Sequence, residues 1–524
     1  MSKSGVERFS SQLSAQIWGH RFMDGQKGPE YVLEFLNVLY GTEYKFDACQ
    51  YQRNKSLGLR RFIFEGDKEG AKGKVVSLPE EDKETLYQMA SSKEQVDVIR
   101  EFFKNLEVPL HDGRGKTANR SWYAKTLYPL HESLLFFEVR TKSGDIAYER
   151  NFFARGGELY FLMLAYGTAD DLALREKIEN RLQQLLQKNR AIENIVNKIT
   201  ESLDKGSQPK NNEYFPLTEV EGENKEYPYL PVTDDPMYHE FAKEFYQLIS
   251  LNIDIYEMFE LMTSLITFQL SRYMLNRAKD QEDAKVTYFF DCLDGQLNPI
   301  KRLSARSFSD NELLIKNKFE SYFMEIFNEK IPSEEYVQEN LQNWKDNPEE
   351  FMDYLGLKKL STARKNKVIK VLNTCQNHTD ISTNLFNVVK DIVSDQLKKH
   401  QLNIVRGLTR DGGFGGYRVG SKYRYFMTDS FLQVLVYSIV KPKSSMEYHD
   451  FLKTLYEKFG FIIGEVEARK DGIYETSRIN ISYFQRNEYA LREKLRHNGL
   501  LVEYSDATAM IKNPYEEVEM QVVE

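Results

Sequence analysis

Between Phe245 and Leu275 the chain reads FYQLISLNIDIYEMFELMTSLITFQLSRYML, a helical stretch that is apolar around nearly its whole circumference. Such a helix is stable in water only when other elements wrap it. A membrane would also cover it, but Asp254, Glu257 and Glu260 fall within the stretch, and charges there would cost a membrane span several kcal/mol. The stretch therefore predicts a buried helix of a soluble domain. The material to bury it is present: 41% of the 524 residues are hydrophobic, with 33 Phe and 32 Tyr, large side chains suited to cores and interfaces. At roughly 150 residues per domain the length suggests two to four domains.

The remaining patterns divide the chain into five parts. Residues 1–168 mix helical and strand signals, with LRRFIFEGD and SLLFFEVRT as expected strands and KEQVDVIREFFKNL as an expected helix, so an α+β domain is predicted there. In 169–204, Leu182, Leu185, Asn189, Ile192, Val196, Ile199 and Leu203 follow the alternating three- and four-residue steps of a coiled-coil seam. That seam suits either packing against the chain's own neighbours or a homo-oligomer through 178–203. Residues 205–236 are rich in Pro, Gly, Asn and acids and read as a linker. A helical domain follows over 237–401, in which Ser309 and Glu312 have the spacing of a capping box. Over 402–524 a glycine-rich hairpin precedes three helices and two short strands, LLVEY and TAMIK, the order of a winged-helix module. The fold class expected is thus α+β, predominantly helical and multi-domain, with a C-terminal winged-helix-like module.

Charge narrows the partners. The net charge of −8 gives no general attraction to a polyanion, so a nucleic-acid site has to be a local patch. Residues 401–498 hold 16 Lys+Arg against 11 Asp+Glu, an excess the rest of the chain lacks. Within this part TRDGGFGGYRVGSKYRYFMTD sets five glycines among cations and tyrosines. It lacks the third glycine and the following helix of a dinucleotide-binding turn. Its Arg418, Lys422 and Arg424 alternate with Tyr417, Tyr423 and Tyr425, a mixture that suits phosphate contact and base stacking. The alternative is a β-hairpin with a solvated cationic face. A second run, LKKLSTARKNKVIK, carries Lys358, Lys359, Arg364, Lys365, Lys367 and Lys370 without an acid. Arg486, Arg492 and Arg496 lie on the third helix of the winged module, where a recognition helix would present them to a groove. Glu488 and Glu493 on the same helix weigh against DNA and towards a protein partner.

Catalytic patterns are sparse. LHDGRGKT has the end of a phosphate-binding loop but Leu110 in place of its first glycine. Three distant cysteines, Cys49, Cys292 and Cys375, support neither a zinc site nor a disulfide framework, and the reading calls for no cofactor, no metal and no catalytic residue. The enzymatic alternative is a metal-dependent nuclease in the N-terminal domain, with Glu65, Asp67 and Lys68 in FIFEGDK or Glu138 and Arg140 in FFEVRTK, although neither has the acid-any-lysine spacing that aims both groups from one strand face. NFFARGGELYFLML places Arg155 and Glu158 around two glycines, either as an ion pair closing a turn or as an anion site at a helix start.

The segments QIWGHRFMDGQKGPEYVLEFLNVL and ERNFFARGGELYFLMLAYG, with the ending LREKLRHNGLLVEYSDATAMIKNP, resemble accessory proteins of bacterial phage-defence and DNA-restriction gene clusters, of the methylation-associated or phosphorothioation-dependent kind. The resemblance implies a cytoplasmic, non-catalytic subunit without a membrane segment. It would work beside an ATPase, nuclease or methyltransferase encoded by other genes; contact with DNA is expected from the basic C-terminal surfaces. It transfers no site residue. A pure protein-interaction scaffold is the other non-enzymatic reading.

Overall fold

The computed structural model describes residues 5–20, 25–54, 57–68, 75–111, 116–118, 120–142, 145–148, 155–203, 214–217, 228–279, 284–357, 360–397, 401–417, 422–505 and 508–518. These residues are predominantly helical, with small sheets of two or three short strands. The apolar stretch, expected as one helix, divides between two, Pro236–Ile249 and Ile255–Arg277, and the second is buried along almost its whole length from Met258 to Leu275. Asp254 caps it, accepting hydrogen bonds from the Tyr256 and Glu257 amides at 2.8 and 3.3 Å, so one of the charges that argued against a membrane span marks where the helix begins. Among the described residues no helix is long and apolar enough to cross a membrane.

Among the described residues six helices pack on this central one: Gly5–Trp18, Gly28–Gly41, Pro236–Ile249, Asn298–Lys330, Asn403–Asp411 and Asp429–Ile439. One connected apolar core consequently runs from Leu13 to Ile511 and draws on every segment that the sequence divides into domains. The boundaries expected at 168, 236 and 401 do not separate independent cores. A second cluster joins Leu59, Phe62, Phe103, Trp122 and Phe136 to Ile192, Val196 and Ile199.

The two clusters show what covers the coiled-coil-like seam. The seam belongs to two helices, Leu172–Gln187 and Arg190–Leu203, and Leu182, Leu185, Ile192, Val196 and Ile199 are all buried within the chain. Asn189 sits in the break and donates its side-chain amide to the Leu130 carbonyl at 2.8 Å. The apolar stripe is thus covered by its own chain, as in the first of the two readings of the seam. Two local expectations also fail. LRRFIFEGD forms a short helix over Leu57–Ile63 where a strand is expected, because one face bearing Leu59, Phe62 and Ile63 packs into the second cluster. Ser309 opens no helix: it lies inside Asn298–Lys330 and bonds back to the Ala305 carbonyl.

The C-terminal elements keep their expected order. The helices Asp429–Ile439, Tyr448–Phe459 and Ile481–His497 are joined by three strands, Ser445–Glu447, Leu501–Glu503 and Ala509–Lys512. Ala509–Lys512 lies in the middle, antiparallel to both neighbours, with Ile511 opposite Leu501 on one side and Met446 on the other. The glycine-rich segment closes into a hairpin in which Gly415 and Gly416 pair with Tyr425 and Arg424.

Candidate functional site

The cations that the sequence singles out are not assembled on one surface. Lys358, Lys359 and Arg418 lie outside the described residues. On the helix Thr362–Thr374, Lys365 pairs with Glu349 at 2.6 Å and Lys367 lies 3.9 Å from Asp391; Arg364 is half-buried and Lys370 exposed. On the proposed recognition helix, Arg492 pairs with Glu503 at 2.7 Å and Arg496 with Glu493 at 2.5 Å, leaving Arg486 exposed with no carboxylate partner among the described residues. Arg424 is corrected outright. Its side chain is 1% exposed and binds Asp291 at 2.9 Å, so it anchors the hairpin to the core and cannot reach a phosphate. Lys422 is exposed.

What the fold does assemble is a polar recess of about 250 Å³. Its walls come from segments almost 400 residues apart: Gly25, Gln26 and Lys27 ahead of the helix Gly28–Gly41; Asn403, Ile404, Arg406, Gly407 and Arg410 on the helix Asn403–Asp411; and Tyr417 and Tyr423 on the hairpin. Arg406 and Arg410 are four residues apart, hence on one helical face. Gly28 brings the walls together. Its amide donates to Asp411 Oδ2 at 2.9 Å, and a Cβ there would fall 2.8 Å from Asp411 Cβ and 2.9 Å from Thr263 Cγ2.

Each wall is held from behind. Arg406 donates Nε and Nη2 to Glu312 at 2.6 and 3.1 Å, and Arg410 is bound to Asp411 at 2.8 Å. The hydrogen bond it donates to Glu312 holds the Arg406 guanidinium above its ordinary pKa. Burial would lower Arg410, but Asp411 and Tyr423 outweigh it and raise it. Both side chains stay charged and fixed, with guanidinium N–H groups in excess of those the carboxylates take. Lys27 has no carboxylate within ion-pair distance among the described residues. The Tyr423 ring stacks on Phe308 with centroids 5.1 Å apart, and Tyr417, 58% exposed, meets its edge at 4.2 Å.

Beneath the recess lie two buried carboxylates. Glu30 accepts Arg120 and the Lys27 amide, both at 2.6 Å. Glu34 Oε2 accepts Gln26 Nε2 at 2.9 Å and the Gly157 amide at 2.8 Å. Burial raises each to about 7, helped for Glu34 by the neighbouring Glu158 carboxylate, which binds Arg155. The two readings of NFFARGGELYFLML thus resolve: Arg155 and Glu158 form the buried pair, and the free amide at the helix start is taken by Glu34 from within the chain. A Cβ on Gly157 would lie 2.4 Å from the Tyr31 carbonyl oxygen, which fixes glycine where these two helices touch.

The nuclease residues are committed elsewhere. Glu65 binds Arg100 at 2.7 Å and Lys83 at 3.3 Å, and Asp67 binds Lys125 at 2.7 Å and Lys104 at 2.9 Å. Burial pushes Asp67 up, but hydrogen bonds from both lysines outweigh it and hold it below the usual carboxylate value. Lys68 is bridged to Val75, Glu138 is buried, and the Arg140 side chain is outside the described residues. Among the described residues no group of three or more His, Cys, Asp or Glu could hold a metal ion.

Sequence reasoning missed Gln26, Lys27, Arg406 and Arg410 as a group, since nothing local links GQKGPE to NIVRGLTRD. The one sequence signal was the i,i+4 arginine pair beside the glycine-rich segment. In comparisons with known proteins, no family model, no curated protein and no solved structure matches this chain.

Proposed function

We propose that this chain is a non-catalytic subunit of a bacterial anti-phage defence or DNA-restriction assembly, and that it contacts nucleic acid through the recess of Lys27, Arg406 and Arg410. The observation carrying this reading is the convergence of three cations and two tyrosines from distant segments on one open, polar concavity. Fixed cations neutralise phosphates, and exposed rings stack on bases. The defence setting rests on the sequence resemblance. Two of its segments form the helices Gly28–Gly41 and Gly156–Gly167, which pack on one another beneath this recess.

We read residues 429–512 as a winged-helix module that faces a protein partner. Its third helix is bordered by Glu465, Glu467, Glu488, Glu493 and Glu503, with Gln485 bonded to Glu465 and Arg492 to Glu503. Such a border repels a phosphate backbone and suits the ATPase, nuclease or methyltransferase subunit expected beside it.

Binding of the full chain to labelled DNA at increasing salt tests the proposal. Three phosphate contacts give a log–log slope of about −2 to −3. Lys27→Glu is expected to weaken binding by about tenfold at low salt, whereas Arg496→Ala, which removes a cation already paired, leaves it unchanged. Loss with Arg496→Ala and none with Lys27→Glu would move the contact to the winged module. No binding at low salt would leave only the scaffold reading.

A further inference from the structure

We infer that the recess is a pocket for a single nucleotide, with the phosphate held by Lys27 and the two arginines and the base laid against Tyr417. The inference rests on the reading of the recess as a nucleic-acid site and adds its occupant. Size is the first argument. Ligand pockets range over roughly 300 to 1,000 Å³; at about 250 Å³ the recess falls just below them, which limits it to one nucleotide whose base lies at the mouth and excludes a duplex.

The second argument is an unmet hydrogen bond. Gln26 lines the recess at 7% exposure, its Nε2 donates to Glu34, and its Oε1 has no partner among the described residues. A buried acceptor left unsatisfied costs about 1–3 kcal/mol; this one lies beside Gly156, 3.1 Å from where a Cβ there would stand, so a ligand N–H or O–H meets it once the Gln26 side chain turns towards the recess. The hydrogen phosphate dianion brings one such donor, and a nucleotide adds those of its base amine and sugar hydroxyls. Third, the aromatic wall is firm: Tyr423 is backed by Phe308, which leaves Tyr417 to offer a ring at the mouth. Finally, the helix Asn403–Asp411 lines the recess with Gly407, where a Cβ would meet no atom of the described residues within 4 Å.

A free mononucleotide and an unstacked or terminal nucleotide of a single strand present the same chemistry. Both are assayed with the full chain, using labelled single-stranded and duplex oligonucleotides of one sequence and competition by nucleoside monophosphate or inorganic phosphate. Single strands are expected to bind better than duplex, and millimolar nucleoside monophosphate to displace them. Displacement without direct strand binding to the recess would identify the free nucleotide as the occupant. Gly407→Leu places a side chain in the recess and replaces the weakest helix former after proline, so it should keep or raise the unfolding temperature while reducing nucleotide affinity by about tenfold or more. Gln26→Met should weaken nucleotide binding more than inorganic phosphate binding. If Gly407→Leu folds and binds nucleotide like the wild type, the inference is overturned. Equal binding of duplex and single strand, undisturbed by nucleotide, overturns it too while leaving the broader nucleic-acid reading in place.

Discussion

Replacing Glu34 by Gln isolates the electrostatics beneath the recess. The Glu34 carboxyl is fully enclosed, accepts Gln26 and Gly157 on one oxygen, and lies beside the Glu158 carboxylate, so burial and like charge raise it from 4.5 to about 7. An acid raised on folding binds its proton more tightly in the native state, and stability is lost as pH climbs from the unfolded value through the folded one. At ~1.36 kcal/mol per pKa unit, full ionisation costs about 3.4 kcal/mol. Roughly three-quarters of this, about 2.5 kcal/mol, develops between pH 5 and pH 8. Glutamine keeps the acceptor oxygen for Gly157 and Gln26 and never ionises. Glu30 titrates over the same window in both proteins and cancels from their difference. An unfolding entropy of ~2.1 cal/mol/K per residue gives about 1.1 kcal/mol/K for a chain of this length, so Glu34→Gln should gain about 2 °C in Tm over the wild type between pH 5 and pH 8. The assay is thermal unfolding of both proteins across that range, in buffers of constant ionic strength. Parallel profiles would refute the argument, because they would mean that Glu34 ionises in the folded protein as easily as in the unfolded one.

Three further perturbations probe the architecture. Arg424→Met leaves Asp291 buried without its guanidinium and should cost about 3–5 kcal/mol by chemical denaturation; the double change with Asp291→Leu should recover much of the loss, and equal losses in the two proteins would contradict the buried-pair account. Gly157→Ala forces a methyl into the backbone of the facing helix at Tyr31 and Phe35, so the protein should lose soluble yield or cooperative melting; a wild-type Tm would show that these helices do not touch so closely. Asp254→Ala removes the cap of the central helix and should cost about 1 kcal/mol by denaturant titration, with no measurable change contradicting the capping role.

The sequence by itself determined that this chain folds around a buried helix. Periodicity and composition are local, and a stretch apolar on all faces has only one solution in water, so the existence of the helices Ile255–Arg277, Lys93–Lys104, Tyr448–Phe459 and Ile481–His497 was legible, although not every boundary was. The strands Leu501–Glu503 and Ala509–Lys512 were legible too, whereas Ser445–Glu447 lies in a segment expected to be helical. Local pattern could not say which face meets which neighbour. The seam from Leu182 to Leu203 has the period of a coiled coil, yet the chain takes Leu182 and Leu185 into its main core and covers Ile192, Val196 and Ile199 with a cluster that includes Leu59, Phe62 and Leu134. Charge shows the limit more sharply: a row of cations looks available until the carboxylates that neutralise it are located, and the partners of Arg424, Arg492 and Lys365 lie 133, 11 and 16 residues away. The recess was decided wholly by tertiary structure. Lys27 and Arg410 acquire a shared purpose only because Gly28 lets two helices meet at Asp411, a contact spanning 383 residues that no sequence window contains.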